Sequence, residues 1–157
     1  MIPIAPLQTA QYRLARHYLN KLRTADEAVR RGQASVSYGR TLFAQDWEQI
    51  KLWQAWAAQR ESGDKLSAQL CKDFPLAGLE VLAIHTSSVD YALWLEHGLE
   101  AAQQLHDDDA ERALCYELAM TYYRLGTLEK VERLANRLLA LGEAAQDCLS
   151  IERAVLL

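Results

Sequence analysis

The segment from Asp109 to Gly142 constrains the fold most, because its apolar residues recur at the three- and four-residue intervals of an amphipathic helix. This pattern predicts two helices of similar length, joined by a tight turn at Gly126 and Thr127. The apolar positions are Leu114, Leu118, Tyr122 and Leu125 in the first helix and Leu128, Val131, Leu134, Ala135, Leu138 and Leu141 in the second. Such a pair cannot bury its apolar surface alone, so the pattern indicates a stacked helical repeat.

The composition favours helix throughout the chain. Alanine, leucine, glutamine and glutamate are abundant, whereas the 157 residues include only three prolines and seven glycines. We therefore predict an all-α fold, a right-handed α-solenoid of antiparallel helix pairs with eight or nine helices in one domain, residues 1–157. Residues 8–87 are expected to form irregular helical pairs, and residues 88–157 to form repeats of which the last is incomplete.

Local signals divide the first half of the chain into helices. We predict a helix over 8–31 that ends at Gly32, followed by a short helix over 35–44. Asp46 is expected to be the N-cap of a helix rich in tryptophan, which breaks at Ser62 and Gly63. Asp64 is expected to be the next N-cap, Pro75 to mark a boundary, and residues 76–85 to form a helix. Of the tryptophans in the helix after Asp46, one is expected to remain partly exposed as a contact anchor.

The helix predicted over 88–105 carries apolar residues on two faces. Ser87 and Asp90 have the spacing of a capping box at its start. One face has Ala92, Leu95, Leu99 and Ala102, and the other has Tyr91, Trp94, Gly98, Ala101 and Leu105. Two apolar faces require packing on two sides, as in a stack. A repeat spacing of 39 is expected, in which Leu118, Val131 and Leu138 correspond to Leu79, Ala92 and Leu99.

The distribution of charge along the chain favours a protein partner over nucleic acid. Residues 1–45 are basic and the remainder acidic within a net charge of −4, which predicts a polarised surface. The basic residues of the first helix have intervals that predict a distribution around the helix, so docking on an acidic neighbouring domain is favoured over nucleic acid. The alternative is a small all-α DNA-associated regulator that uses this helix.

Metal and catalytic sites are not indicated by the sequence. The three cysteines, Cys71, Cys115 and Cys148, and the four histidines lack the short paired spacing of zinc ligands, so the cysteines are expected to be small buried residues in a reducing compartment. The aspartates at 107–109 suit helix capping better than calcium binding. We expect no cofactor and no enzymatic activity. The chain also lacks a membrane-span pattern and a secretory signal, which predicts a cytoplasmic location.

The pattern around the central helix pair resembles a tetratricopeptide repeat. Cys115, Leu118, Ala119 and Tyr122 stand at its first-helix positions, Gly126 at its turn, and Val131, Ala135 and Leu138 at its second-helix positions. Cys115 replaces the usual tryptophan, and Glu143 stands where a proline often closes the repeat. The order of segments over residues 11–157 resembles the helical region that follows the NB-ARC and winged-helix domains of bacterial STAND-type signalling ATPases.

The resemblance implies a non-catalytic interaction or sensor module whose partner is a protein, a peptide or the adjacent nucleotide-binding domain. The chain has no phosphate-binding G-x-x-x-x-G-K-[ST] loop of its own, and its apolar ending suggests a segment of a longer protein. The candidate partner-binding residues are Tyr116, Met120, Tyr123 and Arg124, for which simple packing on an adjacent helix is the competing interpretation. An apolar edge of Ile151, Val155 and Leu156 is expected to promote self-association.

Overall fold

The computed structural model describes residues 6–60 and 63–157, and the regular secondary structure of these residues is entirely α-helical. The helices are α1 (Pro6–Arg30), α2 (Ala34–Ala58), α3 (Lys65–Ala77), α4 (Leu79–His85), α5 (Ser88–Gln104), α6 (Asp108–Arg124), α7 (Leu128–Ala145) and α8 (Cys148–Leu156). The all-α prediction is confirmed, and the number of helices in the described residues lies within the expected range.

The second helix is continuous, so the predicted break before Asp46 is wrong. One stripe of buried residues along this helix packs against α1 and α3. The stripe consists of Gly39, Phe43, Ile50, Gln54 and Ala57. Asp46 lies mid-helix and pairs with Lys21 of α1 at 3.2 Å. An N-cap stabilises a helix by about 1 kcal/mol, less than the burial of a stripe of this length, so packing overrides the local signal.

The short helices of the middle segment follow the sequence signals in part. Asp64 caps α3 by accepting hydrogen bonds from the backbone N–H groups of Leu66 and Ser67, as predicted, whereas Ser62 lies outside the described residues. The boundary predicted at Pro75 is wrong, because α3 continues to Ala77 and holds Pro75 in its last turn. Pro75 is buried, where it contacts α5 at Gly98.

The fifth helix is buried on two sides, as its two apolar faces predict. It packs against α3 on one side and α6 on the other, and both of its predicted faces are buried or half-buried. The Ser87 hydroxyl accepts the N–H of Asp90 at 3.1 Å and donates to its carboxylate at 2.7 Å, so the cap at this helix start is confirmed.

The last four helices repeat every 20 residues. They begin at Ser88, Asp108, Leu128 and Cys148, and the residues with positive φ that precede three of these starts are His106, Gly126 and Gln146. Each turn also repeats one hydrogen bond, from the N–H of Asp107, Thr127 and Asp147 to the carbonyl five residues earlier. Successive helices therefore start 20 residues apart, and alternate helices start 40 residues apart. The predicted match of Leu79 to Leu118 at a spacing of 39 is wrong, because Leu79 belongs to the seven-residue helix α4.

One main core runs through the described helices from α1 to α7, and a smaller cluster around Leu138 joins α6, α7 and α8. Cys71 and Cys115 are buried as predicted, but Cys148 is exposed at the start of α8, because this helix has a neighbour on only part of its circumference. Leu125 and Leu128 flank the Gly126 turn and are exposed, so their assignment to the apolar stripes is wrong. Among the described residues, no helix is long and apolar enough to span a bilayer.

Candidate interaction surface

The sixth helix presents one face to its neighbours and the opposite face outward. Its start is fixed by Asp107, whose carboxylate accepts the N–H of Ala110 at 3.1 Å. The residues that pack inward are Ala110, Glu111, Leu114, Cys115, Leu118, Ala119, Thr121 and Tyr122. Helical phase therefore places Tyr116, Met120 and Tyr123 together on the other side.

The four predicted partner-binding residues differ in how available they are. Tyr123 is 60% exposed, and Arg124 is exposed with one guanidinium N–H donated to the Thr121 hydroxyl at 3.1 Å. Met120 is half-buried. Tyr116 is half-buried beneath Arg153 of α8, whose guanidinium carbon lies 4.5 Å from the ring centroid. The structure thus brings the four residues onto one face, and Tyr116 is the member already in contact with a neighbouring helix.

Charged residues from other helices surround this face. Burial raises the pKa of the Glu117 carboxyl above its ordinary value, and the nearby negative charge of Glu80 in α4 adds to this effect. Arg124, Arg153 of α8 and Arg30 of α1 act on it in the opposite direction. We name the face formed by Tyr116, Glu117, Met120, Tyr123 and Arg124 the α6 face. It combines two tyrosines, a methionine and an arginine, residue types that are enriched at protein interfaces, with one carboxyl group.

Sequence reasoning missed Glu117 and the residues that approach it from other helices. Glu117 lies one position from Tyr116, and the spacing of Glu117 and Arg124, seven residues or about two turns, places them on one side of the helix. This seven-residue spacing is visible in the sequence. The approach of Glu80, Arg30 and Arg153 depends on tertiary packing, which no local pattern encodes.

The inward side of α6 is joined to its neighbours by polar side chains. Glu111 is buried, and its carboxylate accepts hydrogen bonds from Gln103 of α5 at 2.9 Å and from Arg137 of α7 at 2.8 and 3.0 Å. Although burial opposes the charged form, these bonds lower the pKa of Glu111. The carboxylate thus connects three consecutive helices and fixes the orientation of the α6 face.

A second polar contact joins α3 to the start of α6. Lys72 of α3 is buried, and its ammonium donates to Asp107 at 2.5 Å and lies 3.4 Å from Asp73. The hydrogen bond from Lys72 lowers the pKa of Asp107, which keeps this N-cap ionised. Asp107 was predicted to cap α6, but its long-range partner Lys72 was not anticipated.

The predicted self-association edge is exposed in two of its three members. Val155 and Leu156 are 75% and 78% exposed, and Leu149, which sequence reasoning did not include, is 54% exposed. Ile151 instead packs on Gly142 of α7, where a Cβ on the glycine would lie 3.1 Å from its Cγ1 atom. The apolar edge of α8 therefore consists of Leu149, Val155 and Leu156.

Three of the basic side chains of α1 follow one side of the helix. Arg16, Arg23 and Arg30 follow one another at seven-residue intervals, which is one line along a helix, so the predicted distribution around the helix is wrong for these three. Acidic groups interrupt this line. Arg30 pairs with Asp26 at 2.8 Å, and Asp73 is close enough to Arg23 for the two charges to interact.

His17 and His106 are exposed, whereas His85 and His97 are half-buried. His85 stacks on Phe43 with ring centroids 5.3 Å apart, and burial, together with the charge of Arg40, lowers its pKa. The described part of the chain contains no cluster of three or more histidine, cysteine, aspartate or glutamate side chains that is suited to a metal ion. The tryptophans of α2, Trp47, Trp53 and Trp56, are all half-buried.

No protein-family model matches the chain, and neither the curated proteins nor the solved structures include a match.

Proposed function

We propose that the chain is a non-catalytic interaction or sensor module that binds a peptide or protein segment on the α6 face. The observation that carries the proposal is the alignment of Tyr123, Met120 and Arg124 on the outward side of α6, with Tyr123 largely exposed. A large tyrosine side chain contributes contact area at a low cost in conformational entropy, and an arginine adds charged hydrogen bonds.

The repeat geometry supports this proposal. The equal spacing of the last four helices and their matching turns are consistent with antiparallel pairs in a right-handed α-solenoid, an architecture that offers extended binding surfaces. In such a stack α6 and α8 belong to the same layer, so Arg153 and the α6 face would line one surface. We further propose that the module belongs to a cytoplasmic STAND-type signalling protein, on the resemblance of its segment order to the region after NB-ARC.

Peptide selection tests the proposed surface directly. Random peptides displayed on phage are selected on the immobilised chain, and the affinities of the enriched peptides are measured by fluorescence anisotropy. Tyr123→Ala is expected to weaken binding by about 2 kcal/mol, roughly thirtyfold, because truncation removes an aromatic anchor. Met120→Ala is expected to weaken binding less.

Tyr38→Ala is the matched control, because Tyr38 on α2 is 61% exposed, almost the same fraction as Tyr123, and lies away from the α6 face. Its affinity for the selected peptides should equal that of the unsubstituted chain. The proposed surface is rejected when the enriched peptides bind the Tyr123→Ala and Met120→Ala variants unchanged, or when no peptide is enriched.

A second surface is proposed for self-association through α8. Val155→Glu combined with Leu156→Glu places two charges on the exposed apolar edge, so a dimer present in the unsubstituted chain is expected to dissociate. Light scattering coupled to size exclusion measures the mass of both forms at matched concentration. Leu52→Glu is the control, because it places a charge on an exposed apolar position of α2, outside the edge of α8. A monomer in all three samples contradicts the prediction.

A further inference from the structure

A small cavity lies between α5 and α7, above the inward side of α6. Its volume is about 310 Å³, and its apolar floor is formed by Leu99, Leu118 and Leu134 from the three helices. We call this cavity the α5–α7 cup. It lies on the side of α6 opposite to the α6 face, because Leu118 points inward and Tyr123 points outward.

Polar contacts between the helices border both ends of the cup, which is open to solvent between its two rims. At one end, Lys130 of α7 lies 3.3 Å from the carboxylate of Glu96 on α5, and both groups contact the Tyr122 hydroxyl. At the other end, Gln103 of α5 is connected through buried Glu111 to Arg137 of α7. A continuous helix or a long peptide would have to displace these contacts, so the shape suits one small molecule.

The two rims of the cup carry opposite charges. Glu100 lines the α5 rim and Arg133 lines the α7 rim, and among the described residues neither side chain has a hydrogen bond or ion pair. A free carboxylate and a free guanidinium therefore flank a floor of three leucines. The volume falls at the lower limit of small-molecule cavities, which begin at about 300 Å³.

We propose that the α5–α7 cup binds a free α-amino acid with an apolar side chain. The ammonium group of the ligand pairs with Glu100, its carboxylate accepts the forked N–H groups of Arg133, and its side chain covers Leu99, Leu118 and Leu134. Each part of the zwitterion meets a group of complementary chemistry, and the apolar contact removes the leucine floor from water. This site is independent of the proposed function, since it uses none of the residues of the α6 face.

The first experiment titrates the chain with L-leucine and L-phenylalanine and follows the methyl NMR signals of Leu99, Leu118 and Leu134. Saturable shifts confined to these methyl groups are the expected result. The probes 4-methylpentanoate and 3-methylbutylamine each lack one charge of leucine, and each is expected to bind roughly two- to fivefold more weakly, because one exposed ion pair is lost. Titration of either amino acid to tens of millimolar without shifts in these methyl groups overturns the proposal.

The second experiment assigns the charges to their residues. Glu100→Gln is expected to remove the advantage of leucine over 4-methylpentanoate, and Arg133→Gln to remove its advantage over 3-methylbutylamine. Both residues are exposed, so thermal melts should match that of the unsubstituted chain. Glu132→Gln and Arg13→Gln are matched controls on exposed positions outside the cup and should leave the affinity unchanged. Equal affinities in the cup variants and the controls overturn the proposal.

Discussion

Replacing Asp26 by alanine is expected to lower the free energy of unfolding by about 3 kcal/mol, among the largest effects of any polar substitution in this chain. Asp26 is 2% exposed, and one carboxylate oxygen accepts the backbone N–H groups of Glu80 and Val81 at 2.8 and 2.9 Å. Alanine leaves these two N–H groups at the start of α4 without an acceptor, and the one of Val81 is buried. Urea denaturation followed by circular dichroism measures the loss.

Asp26→Asn separates the hydrogen bonds from the charge. The amide oxygen of asparagine can accept the same two N–H groups, so we expect a loss within about 1 kcal/mol, because loss of the ion pair with Arg30 at 2.8 Å is offset by removal of a buried charge. Glu27→Ala is the control, because Glu27 is an exposed acid on the same helix. Equal losses in the alanine and asparagine variants would mean that the hydrogen bonds to α4 do not stabilise the fold.

The charge of Asp26 also predicts a dependence on pH. Burial raises the pKa of this carboxyl, and the hydrogen bond from Val81 and the charge of Arg30 oppose that effect only in part. The folded state therefore holds the proton at a higher pH than the unfolded state. Its contribution to stability is largest below the ordinary pKa and decreases as the pH rises through the folded-state pKa. Asp26→Asn should remove this part of the pH profile.

Asp26 illustrates why part of the fold could not be predicted. In the sequence it is one acidic residue within a basic helix, and nothing near it indicates that it caps α4, because its partners lie 54 and 55 residues away. Asp64 and Ser87 were assigned correctly because the groups that they cap follow within three residues. Local chemistry is visible in a sequence, whereas contacts between distant segments are not.

The same distinction explains the difference between the two halves of the chain. From Ser88 onward, the helices pack mainly on their neighbours in sequence, apart from the contact of α5 with α3, so helical phase and turn residues predict most of the arrangement. In the first half, α1 packs along α2, and both contact α3, so distant packing decides where helices continue. Asp46 and Pro75 were therefore assigned as boundaries from signals that tertiary contacts override.

The candidate surface follows this rule as well. Tyr116, Met120, Tyr123 and Arg124 were placed together from the phase of one helix, and the structure places them on one face of α6. The cation–π contact of Arg153 with Tyr116 was not visible, because it depends on how α8 packs beside α6. The α5–α7 cup likewise needs three helices to form, and its charged rims are ordinary surface residues in the sequence.

Gly39→Ala is expected to lower the free energy of unfolding by about 3 kcal/mol, because the α1–α2 contact leaves no room for a side chain at this position. A Cβ at Gly39 would lie 2.7 Å from the carbonyl oxygen of Ala25 and 2.9 Å from the backbone nitrogen of Val29. Both atoms belong to the backbone of α1, so no side-chain rotation relieves the overlap, and the two helices must separate. Separation would loosen the buried stripe of α2 along its length.

The substitution also tests packing against helix propensity. Alanine inside a helix is more favourable than glycine by about 1 kcal/mol, so an isolated helix would be stabilised by this change. Gly63→Ala is the control, because the nearest atom to its Cβ would be the carbonyl oxygen of Arg60 at 3.9 Å, and we expect a change within about 0.5 kcal/mol. Urea denaturation of both variants decides the question. A Gly39→Ala variant as stable as the unsubstituted chain would mean that α1 and α2 lie farther apart than described, and the Asp26 contacts of the same helix would then need to be reconsidered.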